Sequence, residues 1–156
     1  MSGLVAGFGQ PSSDELQRMF GKISHRGPAV SGIWPSGRAV LAQNYGVADV
    51  ATGGGDAEVP VAERDGGARV CCDAQIGNWR ELAERFDVAE GPFPEERLLL
   101  DLYRRHGTGM FDFLSDAIFS LVISDGEQLL AARDLLGIKT LFYGRKNGTI
   151  YLASEL

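Results

Sequence analysis

The spacing of hydrophobic residues changes period several times along the chain, and each change predicts an element. Gly3 to Phe8 is small and apolar, with Leu4 and Val5 suited to a strand that starts almost at the chain end. Ser12 and Glu15 form a capping box, and Leu16, Met19, Phe20 and Ile23 follow at helical spacing, which predicts a helix over about residues 13 to 22. After the turn-forming Arg26-Gly27-Pro28, the runs Val30 to Trp34 and Arg38 to Gln43 read as a hairpin divided at Pro35-Ser36-Gly37. Residues 49 to 67 carry two glycine clusters and many acids without periodicity, and predict loop.

The middle of the chain restores a pattern. Arg69 to Ala74 predicts a strand, and Asn78 is placed to cap a helix with Trp79, Leu82 and Phe86 on one face. A further helix over about residues 95 to 105 turns Leu98, Leu99, Leu102 and Tyr103 inward and stops at Gly107. The period then returns to two. Ala117 to Ser124, Gln128 to Arg133, Leu141 to Gly144 and Thr149 to Ala153 predict strands, with the hairpin dipeptides Asp125-Gly126 and Asn147-Gly148 between them. This last third reads as a meander. Strands, two central helices and more strands imply an α+β fold of sheets packed face to face with helices outside.

Composition narrows the class. At 156 residues one domain is expected. Apolar residues at 44% and charged residues at 23% match a globular chain and exclude disorder or a rod. The net charge of −6 and the lack of a Lys/Arg stripe argue against nucleic acid. No run of 18 apolar residues occurs, so no membrane span is expected, and the N-terminus lacks a secretory signal. Cys71 and Cys72 are adjacent, which offers neither a disulfide framework nor a four-ligand zinc site, so no metal is expected and a reducing cytoplasm is the expected setting. On a strand the two thiols should point to opposite faces, one inside and one nearer solvent. The glycine runs lack the Gly-Lys-Ser/Thr context of a phosphate cradle. No cofactor is expected.

Six blocks spread along the chain carry a resemblance: SGLVAGFG at 2 to 9, SHRGPAVSGIW at 24 to 34, DAQIGNWREL at 73 to 82, LLLDLYRRHG at 98 to 107, AARDLLGIKTLFYG at 131 to 144 and LASEL at 152 to 156. In this order they resemble the N-terminal glutaminase domain of class II glutamine amidotransferases, the asparagine synthetase type. The resemblance implies a four-layer αββα sandwich of the N-terminal nucleophile hydrolase kind. It also implies a mature chain that begins with a cysteine, whose thiolate attacks the glutamine amide while its α-amino group acts as base.

The family's functional residues do not carry over. Ser2 stands where the nucleophile would be, and a hydroxyl is far less acidic than a thiol. Asp73 and Ala74 align with the Asn-Gly pair of the family's oxyanion hole, and an ionised carboxylate donates nothing. Tyr45, in the segment LAQNYGVAD, falls where the family's arginine clamps the glutamine carboxylate, and Glu95 falls where an aspartate receives the α-amino group. These four residues, Tyr45, Asp73, Ala74 and Glu95, are the expected lining of a vestigial pocket with acidic character. His25 and His106 read as structural or surface residues, and Arg133-Asp134 with Lys139 as a charged turn organising the C-terminal strands.

Two functions are therefore expected to compete. One is a non-catalytic glutaminase-like scaffold that docks to a separately encoded synthetase-type subunit forming an amide bond. This is what members resembling β-lactam synthetases or lasso-peptide cyclases imply, where the substrate supplies the amine. The other is a serine-dependent amidohydrolase using Ser2 on an amide other than free glutamine. No pyrophosphate loop of the Ser-Gly-Gly type occurs, so no synthetase domain is expected within the chain, and a fragment of a longer synthetase or a homo-oligomer stays open.

Overall fold

The computed structural model describes residues 2–46, 60–62, 67–88 and 91–156. Among the described residues nine strands form two antiparallel sheets. The first sheet is ordered β2-β3-β1-β9-β8, with β1 Gly3–Phe8, β2 Val30–Ser36, β3 Ala39–Tyr45, β8 Phe142–Lys146 and β9 Thr149–Ala153. The second is ordered β4-β5-β6-β7, with β4 Val61–Ala62, β5 Arg69–Ile76, β6 Ala117–Ser124 and β7 Leu129–Arg133. Helix α1 Ser13–Lys22 covers the first sheet, and α2 Trp79–Phe86 and α3 Pro94–His106 cover the second.

Alternation along the strands builds three layers of core. In β1, Leu4 and Ala6 point between the sheets to meet Cys71 and Val122, while Val5 points the other way onto Leu16 and Ile23. The second sheet puts Val70, Cys72, Ile76, Leu121 and Ile123 against Leu82, Leu98, Leu99 and Leu102 of the helices. The result is the four-layer αββα sandwich expected from the resemblance.

The helix signals act locally. The Ser12 hydroxyl accepts the Glu15 N–H, and Gly107 ends α3 at φ +56°. Asn78 departs from expectation: its amide makes no cap bond but donates to the Phe113 carbonyl at 2.9 Å and accepts the Ser115 N–H at 3.1 Å. It fastens a loop across the start of α2.

Three further differences come from the layering. The expected meander is two hairpins in different sheets, because β6–β7 stays in the second sheet and β8–β9 completes the first. Both cysteines are buried, not one, since the second sheet is covered on both faces: Cys71 meets the first sheet and Cys72 the helices. Burial pushes both thiols well above their ordinary range. Within the expected loop at 49 to 67, Val61 and Ala62 pair with Val70 and Arg69 as β4, while residues 49–59 and 63–66 lie outside the described residues.

Candidate functional site

At the head of β1, Ser2, Glu155 and residues of both sheets converge. Ser2 is buried, and its hydroxyl donates to the Cys72 carbonyl at 3.1 Å. At Cys72, on the outer edge of β5, side chains of the first sheet supply hydrogen bonds to the backbone. The fully buried Gln43 amide accepts the Cys72 N–H at 3.0 Å and also donates to its carbonyl. Gln43 and Ser2 thus bind the first sheet to the second.

Arg26 is the hub of this region. Its Nε donates to the Ser2 carbonyl at 3.0 Å, Nη1 to Glu155 at 2.9 Å and Nη2 to Asp73 at 3.3 Å. Gly27 makes that placement possible: a Cβ there would sit 2.5 Å from the Tyr45 backbone, so the turn can close on β3 only with glycine. The Arg26 guanidinium holds the Glu155 carboxyl below the ordinary carboxylate range, with exposed His25 adding a second contact at 3.1 Å.

Lys139 approaches the same carboxylate from the other side, with Nζ 2.7 Å from Asp73 Oδ1. A rigid turn aims it. The Asp134 carboxylate accepts the N–H groups of Ile138 and Lys139, each at 3.0 Å, while its own N–H bonds to the Phe119 carbonyl. Burial opposes ionisation of Asp134, yet these backbone donors outweigh it and hold the carboxyl below its usual value. The charged turn is therefore organised by carboxylate-to-backbone bonds, and Lys139 spends its charge on Asp73.

A second buried acid lies across β5. Glu96, in the first turn of α3, accepts the Tyr45 hydroxyl at 2.9 Å. Burial raises its carboxyl to about 7, although the Tyr45 and Cys72 side chains both favour the ionised form. Burial likewise pushes the Tyr45 phenol well up. The Tyr45 ring packs on Phe93 with centroids 4.3 Å apart, and Phe93 takes a left-handed backbone, φ +57°, directly before Pro94. That conformation is costly for a bulky residue and is offset by burying the ring.

The structure therefore divides the four expected pocket residues. Asp73 faces the Ser2 group, Ala74 is half-buried on the opposite, helix-facing side, and Tyr45 reaches Glu96, not Glu95. Glu95 is half-buried and makes no side-chain hydrogen bond among the described residues. Of the two expected acids, Asp73 lies between two cations; Glu96, outside the expected set, is a further buried acid, with its carboxyl raised to about 7. Arg26, Gln43, Glu96 and Glu155 carry much of the arrangement, and periodicity alone did not single them out. Among the described residues no group of three His, Cys, Asp or Glu side chains gathers to hold a metal, and no helix is long and apolar enough to cross a membrane.

Chemically, a hydroxyl engaged with a carbonyl, beside a carboxylate saturated by cations, forms a locked polar core. A tetrahedral oxyanion needs donors about 2.7–3.1 Å from its oxygen, and the Asp73 side chain is an acceptor.

Comparison with known proteins places this geometry. The sequence profile of the glutamine amidotransferase domain matches residues 1–156. Glutamine-hydrolysing asparagine synthetase 2 of Lotus japonicus is 30% identical over 171 residues, covering 100% of this chain and 28% of the plant protein. Glutamine-hydrolysing asparagine synthetase 1 of Saccharomyces cerevisiae is 30% identical over 142 residues, covering 86% of this chain and 24% of its own length. The chain thus spans between a quarter and a third of the plant relative. Among solved structures, the glutamine phosphoribosylpyrophosphate amidotransferase of B. subtilis superposes with a TM-score of 0.83 at 13% identity, over 98% of this chain and 42% of that one. That likeness shows the fold.

Proposed function

The chain belongs to the glutamine amidotransferase domain family, of the asparagine synthetase type, and from that premise we propose that it is a binding or scaffold member without glutaminase activity. The observation that carries this reading is the Arg26–Asp73–Lys139 cluster beside Ser2. Where the resemblance puts an amide donor, this chain has a carboxylate, and both neighbouring cations are already engaged with it. Removing a single oxyanion donor costs about 2.7–4 kcal/mol of transition-state stabilisation, so an acceptor in its place acts in the same direction with at least that weight.

The partner in this reading is a separately encoded synthetase-type subunit that forms an amide bond. Support comes from the segment that carries Lys139: Leu135 is fully exposed, and Leu136, Ile138 and Tyr143 are 81%, 57% and 80% exposed. Large apolar side chains concentrated on one exposed stretch are a feature of interaction surfaces. The reading carries a cytoplasmic setting with it, in keeping with two free cysteines.

The test is glutamine turnover. Purified chain is expected to release no more ammonia from glutamine than its Ser2→Ala variant, and to co-purify with a synthetase-type subunit unless Leu135 and Leu136 are changed to Asp. Ammonia release that disappears in Ser2→Ala overturns the reading. A second reading, the serine-dependent amidohydrolase, is favoured by one fact: Ser2 is buried at the head of a central strand. It requires removal of Met1, and a mass spectrum retaining Met1 excludes it.

A further inference from the structure

The two edges of the first sheet are finished differently. At one, β2 carries Pro35, which blunts an edge strand. At the other, β8 has β9 as its one strand neighbour among the described residues, and all of Phe142 to Lys146 is exposed. The β8–β9 turn has positive φ at both Asn147 and Gly148, 51° and 77°, the two-residue hairpin in which the flanking pair Lys146–Thr149 exchanges backbone hydrogen bonds. Alternation from that pair sets the rest. Phe142, Gly144 and Lys146 direct their backbone groups to β9, whereas Tyr143 and Arg145 turn theirs outward.

Side chains divide with the same period. Tyr143 and Arg145 lie opposite Leu152 and Ile150, on the face toward the second sheet, yet Tyr143 is 80% exposed. Phe142, Gly144 and Lys146 share the face toward α1, where Met19, Gly144 and Tyr151 line an open groove of about 320 Å³. A Cβ at Gly144 would meet nothing within 4 Å, so the space above this part of the edge is vacant. The Lys146 ammonium is drawn back onto Glu15 of α1.

We propose that β8 docks against β8 of a second copy of this chain, antiparallel about a two-fold axis at Gly144, making one continuous sheet across both copies. In this register Tyr143 lies opposite the second copy's Arg145, and the dyad repeats the pair. The outward N–H and C=O groups of these residues then exchange backbone hydrogen bonds, as in any strand added to a sheet edge. Each Arg145 guanidinium comes beside a Tyr143 ring, a cross-strand cation–π pair. On the α1 face, Phe142 falls diagonal to the second copy's Gly144, within reach to lay its ring over the bare glycine and into the groove. Other centres fit worse: a dyad at Arg145 sets two guanidinium groups opposite each other, and one at Tyr143 leaves Arg145 facing Leu141, outside the strand. The edge lies apart from the Ser2 site, so this pairing goes beyond the function proposed above and is tested independently of it.

The test is sedimentation equilibrium of the intact chain over rising concentration, with the mass expected to move from 16.8 kDa toward twice that value. Tyr143→Pro removes an outward N–H and leaves the β8–β9 bonds, and Tyr143→Lys sets an ammonium against Arg145; each is expected to weaken association by about tenfold or more. Gly144→Cys reads the register. Residues directly opposite across the dyad come within disulfide reach, so a mild thiol oxidant is expected to give a covalent dimer that Arg145→Cys does not give. The native Cys71 and Cys72 are buried and do not compete. The proposal is overturned if the chain keeps monomer mass at millimolar concentration, if the folded Tyr143 variants associate as the wild type does, or if Gly144→Cys and Arg145→Cys cross-link alike. Dissociation by Leu135→Asp with Leu136→Asp, but not by the Tyr143 variants, would move the interface to the Asp134 turn and overturn it as well.

Discussion

Asp73 and Glu96 are both buried carboxylates, and between them they teach how one domain treats the same functional group in two ways. Asp73 sits between Arg26 and Lys139, at 3.3 and 2.7 Å. Two cations supply in the interior what water would supply outside. Among the described residues Glu96 forms no ion pair; a backbone N–H, the Tyr45 hydroxyl and the Cys72 thiol bond to it, and burial raises its carboxyl to about 7. The first acid is held by charge and joins four parts of the chain: the head of β1, the Arg26 turn, β5 and the Lys139 turn. The second is held by neutral donors at the junction of β3, β5 and α3. One is an electrostatic clasp, the other a proton-dependent one.

The largest effect that could break this contrast follows from removing a cation. Arg26→Met leaves Asp73 with Lys139, removes the Arg26 donor to the Ser2 carbonyl, and leaves Glu155 with the exposed His25. Loss of about 4 kcal/mol is expected, within the roughly 3–5 kcal/mol typical of breaking a buried ion pair. Urea unfolding at neutral pH measures it. A loss below about 1 kcal/mol, the size of a surface pair, would mean that Asp73 is not electrostatically clasped.

The pH profile sharpens the other half. Because the folded state raises Glu96 from 4.5 to about 7, it holds a proton that the unfolded chain has released. That contribution is fully present below pH 4.5 and is lost as pH rises to about 7, by an amount on the order of 3 kcal/mol. Glu96→Gln is expected to remove the decline, as read by urea midpoints at pH 5 and pH 8. The acids with lowered values, Glu15, Asp125, Asp134 and Glu155, contribute in the opposite direction as pH falls through the carboxylate range, so they do not mask this window. An unchanged decline in Glu96→Gln would remove Glu96 from the account.

The smallest effect separates hydrogen bonding from packing. Tyr45→Phe keeps the ring on Phe93 and deletes the donor to Glu96. A loss of about 1 kcal/mol is expected above pH 7, where the ionised carboxylate uses that bond most, and less at pH 5. An equal loss at both pH values would place the contribution in the packing.

The sequence by itself determined the elements whose signals are local. The β1 run, the Ser12–Glu15 cap, the leucines of α3 and the Asn147-Gly148 turn each sit where the structure has the matching element, because periodicity and turn chemistry act within a few residues. The order of the family-like blocks also implied the αββα layering, and the two sheets with their helices have it. Only the tertiary structure decided how distant residues combine. It sent β8–β9 to a different sheet from β6–β7, buried Cys71 and Cys72 alike, and chose Glu96 over its neighbour Glu95 as the acid beneath Tyr45. It also joined Arg26 to Asp73, 47 positions away, and Lys139 to Asp73, 66 positions away. Such pairings depend on how whole layers pack and on which charges become desolvated together, and no short window of sequence contains that information.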